Sequence, residues 1–338
     1  MATVRASRSG YPREVTSAYH RLFRIRPTYR WWKPLLALLL GVSFYYALTL
    51  VYQEILLAIV RGVGGASAST HLLRSVQQDQ QNASEPLVLL FTLGSLSTML
   101  PAMLIAVRLA GLGGWGQLAS VLGRIRWRWM LRCLVPGIAY MIITVGLGYV
   151  VPASWQGPVD TGPQTATPVP ALVVSCILIV LLVPFQASAE EFAFRGLGMQ
   201  LFGSYLRWPV FAIVLPNVFF ALAHSYNVWG KLDVAVLGVS FAYLTWRTGG
   251  LEAGIVAHVI NNVVVFLLAA PVVATTQSDG SPVGLGITVV ASAVYVVIVT
   301  WQARRHEPAR VAPGGSAVDG GAILHRGGIP GSGVGRAS

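Results

Sequence analysis

Charge is what this sequence has least of. Of 338 residues only 11% are charged and 54% are hydrophobic, whereas a soluble domain carries about a quarter charged residues. That shortage excludes an ordinary soluble fold, and the mean hydropathy of +0.64 agrees. Acidic residues are scarcer still, 12 against 24 basic ones. There are two cysteines, Cys133 and Cys176, each inside an apolar stretch and without metal-ligand spacing, so a disulfide scaffold and a cysteine-based metal site are both excluded. No internal repeat is evident, which removes a common mark of transporters. Base-stacking aromatics are not interleaved in the basic loops, so the net charge of +12 does not indicate a nucleic-acid partner.

What is present is a succession of apolar runs near the length of about 20 residues needed to cross a bilayer. They fall at 35–59, 87–110, 130–151, 169–190, 208–226, 232–247, 251–270 and 283–303. The expected fold is an all-α, polytopic transmembrane bundle of about eight spans, with 191–207 as an interfacial or partly embedded helix. Basic residues are retained on the cytoplasmic side. All of them except Arg61, Arg74 and Lys231 fall on one side of this topology, which predicts cytoplasmic termini. The first span starts too late and is too long for a cleavable leader and is expected to act as its own insertion signal.

Composition divides the chain into a basic N-terminal segment, 1–34, accessory helices and loops, 35–168, a chemically equipped membrane segment, 169–303, and a tail, 304–338. The stretch Arg21–Lys33, with Tyr29, Trp31 and Trp32, fits an interfacial anchor on anionic headgroups. The Ser/Gln/Asn-rich 65–86 and the Pro/Thr/Gly-rich 152–168 read as external loops, and the Gly- and Ser-rich tail is too poor in apolar surface to fold.

Ionisable residues within apolar stretches concentrate in the third segment. Insertion of a charge at membrane depth costs about 3 kcal/mol, so each one raises a functional hypothesis. Glu191 and Arg195 share a helical face and can pair, with Glu190 pointing about 100° away. By spacing alone this cluster is equally a helix-end patch at the headgroups. His224 ends one apolar run, and His258 lies four residues before Asn262, so both can hydrogen-bond to one point. Such a pair can hold a developing oxyanion. Singly, each histidine is more often a packed residue, but three segments contributing Glu, His, and His with Asn form a constellation.

The pattern Glu190-Glu191-x-x-x-Arg195, Phe220-x-x-x-His224 and His258-x-x-x-Asn262, with Gly249-Gly250-Leu251-Glu252-Ala253-Gly254-Ile255 leading into His258, resembles the CAAX protease and bacteriocin-processing (Abi) family of intramembrane endopeptidases. The resemblance spans roughly 170–270. It implies Glu190 as general base on an attacking water oriented by His224, His258 and Asn262 as the oxyanion site, and Glu191 and Arg195 in a supporting or substrate-gripping role. It further implies a membrane-associated or lipidated peptide or protein as substrate. No cofactor is favoured. Zinc is the alternative, held by Glu190, His224 and His258, although the pattern lacks the paired histidines of common zinc proteases. The Ala-, Gly-, Val- and Arg-rich composition suggests a bacterial plasma membrane. The alternative functions are a non-catalytic membrane scaffold or regulator on the same fold, and a proton-coupled transporter.

Overall fold

The computed structural model describes residues 17–79, 82–152, 155, 165–273 and 280–312. Most of the 152–168 loop and of the tail lies outside these residues. The chain opens with a two-residue strand, β1 (Ser17–Ala18), and a 3-10 turn, Tyr19–Ile25. The helices are α1 (Lys33–Gln78), α2 (Pro86–Ser97), α3 (Met99–Leu109), α4 (Trp127–Val150), α5 (Val169–Glu190), α6 (Met199–Tyr205), α7 (Pro209–Leu222), α8 (Val228–Thr248), α9 (Glu252–Ala269) and α10 (Pro282–His306). A π-helical segment, Glu191–Gly198, joins α5 to α6 without a break. The short strands β2 (Thr165–Ala166) and β3 (Val272–Val273) pair with each other, and β1 pairs with β4 (Val311–Ala312).

Among the described residues, 7 helical runs are long and apolar enough to cross a membrane, with α2–α3 and α5–α6 each counting as one. The protein is thus a multi-pass integral membrane protein, an all-α bundle. The apolar run 208–226, expected as an eighth span, is not one helix of spanning length. It yields α7, only 14 residues, about 21 Å at 1.5 Å per residue, short of a hydrocarbon core of about 30 Å. Helix α7 stops because the His224 ring takes the Phe220 carbonyl, with Nδ1 at 2.8 Å, and the His224 amide turns to Ala221 instead. The stretch 191–207, expected as an interfacial or partly embedded helix, continues α5 as one helical run through Tyr205.

The polar stretch 65–86 also differs from the expected loop. Helix α1 runs 46 residues and bends at Gly65, whose φ of 76° lies outside the helical region. The part beyond the bend stays helical and returns Leu72 onto Leu56, Val60, Val88 and Phe91.

At the basic end of the bundle the turns form a collar. Tyr19, Leu22 and Phe23 are buried in the main core beside Leu112, Leu118 and Leu197, while Trp31 and Trp32 are exposed. Tyr19 donates to the Leu118 carbonyl, Ser120 bridges to Gly250, and Arg126 reaches α9 and the chain after α10. Arg126 donates to both oxygens of Glu252 and, through Nη1, to the Thr248 and Ala309 carbonyls at 2.8 Å. Gly249 ends α8 with a φ of 74°, and a Cβ there would lie 2.4 Å from the Ala309 oxygen. Only glycine fits both constraints.

Candidate active site

The turn 206–208 folds α6 and α7 into a hairpin, and this sets the height of the site. Glu190 stands as many residues before Tyr205 as His224 stands after Pro209, about 20 Å from the turn on either arm. Phe194 meets Phe220 edge-on at 4.9 Å, so the two arms are in register.

Glu191 and Arg195 have no exposed surface and pair through Nη1 and Oε1 at 3.0 Å. The guanidinium lies over the Phe220 ring, 4.2 Å from its centroid, a cation–π contact that strengthens when dry. Room for the pair comes from two glycines on neighbouring helices. A Cβ at Gly254 would sit 2.7 Å from Glu191 Oε2, and one at Gly238 would sit 2.6 Å from Arg195 Nη2 and 2.4 Å from Asn217 Oδ1. Arg195 Nε and Nη2, Glu191 Oε2 and Asn217 Oδ1 are all buried without hydrogen-bond partners among the described residues.

Helix α9 brings His258 between the two glutamates. Its Nδ1 is 3.0 Å from Glu191 Oε1 and its Nε2 is 3.5 Å from Glu190 Oε2. A carboxylate only accepts, so Nδ1 carries a proton toward Glu191.

Glu190 itself is buried and accepts from Gln186, one helical turn back. Gln186 in turn accepts from Asn262 at 3.2 Å. Asn262 accepts from Asn261 at 3.1 Å, and Asn261 accepts from the Tyr140 hydroxyl at 2.9 Å. One polar chain therefore runs from α4 through α9 to Glu190 on α5.

Glu190, Glu191, Arg195, His258 and Asn262 thus belong to one connected network. His224 joins it through rings. It meets Phe220 edge-on at 4.9 Å, and Phe220 in turn faces His258 at 6.1 Å. Because a carbonyl accepts the Nδ1 proton, the neutral His224 ring leaves Nε2 as an acceptor.

Glu190, His224 and His258 carry the donor types of a zinc site. Both nitrogens of His258 face carboxylates, and His224 spends Nδ1 on the backbone. Among the described residues, no three His, Cys, Asp or Glu side chains are grouped closely enough to hold a metal ion. No chemical step is routed through a metal below.

Sequence reasoning passed over Gln186, although a lone glutamine in Pro184-Phe185-Gln186-Ala187 was a visible signal, being polar inside an apolar run. The Arg126–Glu252 pair was missed for a different reason, since its members stand 126 positions apart.

The buried carboxylates and imidazoles in a membrane bundle define a class, multi-pass membrane proteins with a polar site enclosed among helices. Residues 170–264 match the family model described as type II CAAX prenyl endopeptidase Rce1-like. A CAAX/Abi (Rce1-like) domain is therefore present over this part of the chain, and it contains Glu190, Glu191, Arg195, His224, His258 and Asn262. The uncharacterized protein YyaK of Bacillus subtilis (strain 168) is 34% identical over 90 residues, which cover 25% of this chain and 30% of that protein. No solved structure matches.

Proposed function

We propose that the protein is an intramembrane endopeptidase that hydrolyses a peptide bond of a membrane-associated or lipid-modified protein or peptide. The observation that carries this reading is the buried Glu190–His258–Glu191–Arg195 array. It is an expensive arrangement at membrane depth, and it adjoins a helix that stops short at His224. Non-helical backbone at that depth is tolerated where it is buried in protein or lines a water-filled space, and hydrolysis needs water to be admitted somewhere.

In this mechanism Glu190 takes the proton of the attacking water, which His224 Nε2 orients from the facing arm of the hairpin, and returns it to the leaving amine as the tetrahedral intermediate collapses and the C–N bond breaks. His258 and Asn262, one turn apart on α9, donate to the oxyanion as the carbonyl becomes tetrahedral. Glu191 fixes the His258 ring through Nδ1. Arg195 neutralises Glu191 and presses on Phe220, so it positions both histidines. The reaction is proposed to proceed without a metal. Placement in a bacterial plasma membrane with cytoplasmic termini belongs to the same reading, which needs residues 17 and 312 on one side, as the pairing of β1 with β4 has them.

The purified protein and its Glu190→Gln variant, offered lipidated and unmodified membrane peptides with and without a strong chelator, test this. The variant is expected to lose at least about a hundredfold in turnover, and the wild type to keep its activity in chelator. Cleavage by Glu190→Gln at the wild-type rate overturns the reading.

A further inference from the structure

A second feature lies at the basic end of the bundle, remote from Glu190 and independent of the protease reading. The ends of α8 and α10 and the residues after α10 enclose an open cleft of about 540 Å³, lined by Arg247, Arg304, Arg310, Glu307 and Pro308. Retention of basic residues on this side explains why arginines are present. It does not explain why three of them converge on one hollow that has one carboxylate in its lining.

Helix capping does not account for them either. The last carbonyl of α8, at Thr248, is already taken by Arg126. Arg247 is half-buried, and its Nη1 is buried with no hydrogen-bond acceptor among the described residues. An unpaired buried guanidinium N–H beside two other guanidinium groups is costly unless an anion enters. Glu307 lies on the cleft wall and takes a left-handed conformation, with φ 42°, where the chain turns back from α10 toward β4. Because the Ala309 oxygen is seated against Gly249, the wall carrying Pro308 and Arg310 is fixed to the end of α8.

The height of the cleft is also marked. Trp301, one turn before Arg304, is exposed, and Arg305 stacks on its ring at 4.0 Å. Exposed tryptophan on a spanning helix belongs at headgroup level. Arginine forks suit phosphate oxygens in particular, by paired N–H···O bonds.

We propose that Arg247, Arg304 and Arg310 form a binding site for a phosphate group, supplied at this height by the headgroup of an anionic phospholipid. The site would tie the end of α10 to the bilayer surface and complete the hydrogen bonding of Arg247.

The test uses the full chain in a zwitterionic detergent, titrated calorimetrically with dihexanoyl phosphatidylglycerol, dihexanoyl phosphatidylcholine and inorganic phosphate. Phosphatidylglycerol is expected to bind saturably, and Arg304→Gln and Arg310→Gln to weaken it about tenfold each, the size of one charge-assisted hydrogen bond. Both side chains are exposed, so the fold tolerates their loss. Arg305→Gln removes the same charge from the next position, outside the cleft, and is expected to change affinity less than twofold. Binding of phosphate without the lipid keeps the site and reassigns its source to soluble phosphate. Absence of saturable binding of either anion, or an equal loss in Arg305→Gln, overturns the proposal and reduces the cleft to part of a diffuse basic face.

Discussion

Among the described residues the bundle contains two buried Arg–Glu pairs, and they are built to opposite standards. In the collar, Glu252 accepts three bonds from Arg126, which also holds two backbone carbonyls. In the π-helical segment, Glu191 and Arg195 share one hydrogen bond, and two guanidinium nitrogens and a carboxylate oxygen go without partners among the described residues. A native structure rarely leaves such atoms unmade unless a water, a ligand or a function requires it. The saturated pair is a clamp between α4, α9 and the end of the chain. The unsaturated pair is next to His258 and Phe220, in the array on which the proposed function rests.

The comparison can be attacked most strongly at the clamp. Arg126→Ala leaves Glu252 charged, buried and alone, and is expected to cost about 3–5 kcal/mol, read as a lower denaturation midpoint of the purified protein whatever the assay for activity. At the second pair, Glu191→Leu with Arg195→Met removes both charges at once. Stability is expected to stay within about 1 kcal/mol of wild type, since replacing a buried pair by apolar side chains is often neutral, while peptide cleavage falls about a hundredfold because His258 loses its anchor. A large loss of stability in that double variant would make both pairs clamps and erase the distinction.

Gln186→Leu gives a finer reading. Removing the bridge between Glu190 and Asn262 is expected to lower kcat about tenfold, the size typical of a supporting hydrogen bond, with KM unchanged; a change confined to KM would place Gln186 in substrate binding.

The smallest effect is a pH dependence in the collar. Burial holds the His20 pKa below its ordinary value, and Arg21 adds to this, while a hydrogen bond to the Arg207 carbonyl opposes it. The folded state thus prefers the neutral ring. Its contribution to stability is present above the unfolded value of 6.5 and is lost as pH falls from there through the lower folded value. A thermal melt taken across this window should show the loss in wild type and not in His20→Gln.

Much of this was readable from residues alone, and the exceptions have physical causes. Low charge and apolar run length fixed the membrane class, and the spacing of Glu191 and Arg195 placed them on one face because four residues is about one helical turn. Hydropathy misjudged α7, since it registers apolar length and is blind to a histidine side chain intercepting a backbone carbonyl. It misjudged 191–207 for the converse reason, because the charges that made the stretch read as interfacial are neutralised inside the bundle. The Asn262–Gln186 contact spans 76 positions, and no local pattern carries information over that distance.

The closure of the collar has a consequence for how the protein is made. Arg126 emerges early in synthesis, yet one of its acceptors, the Ala309 carbonyl, and the strand partner of Ser17 at Ala312 emerge after every helix of the bundle. The earliest described residues wait for the latest. A nascent chain therefore holds its helices in the bilayer with the latch open, and truncation shortly before residue 309 should leave a protein that inserts normally but never locks.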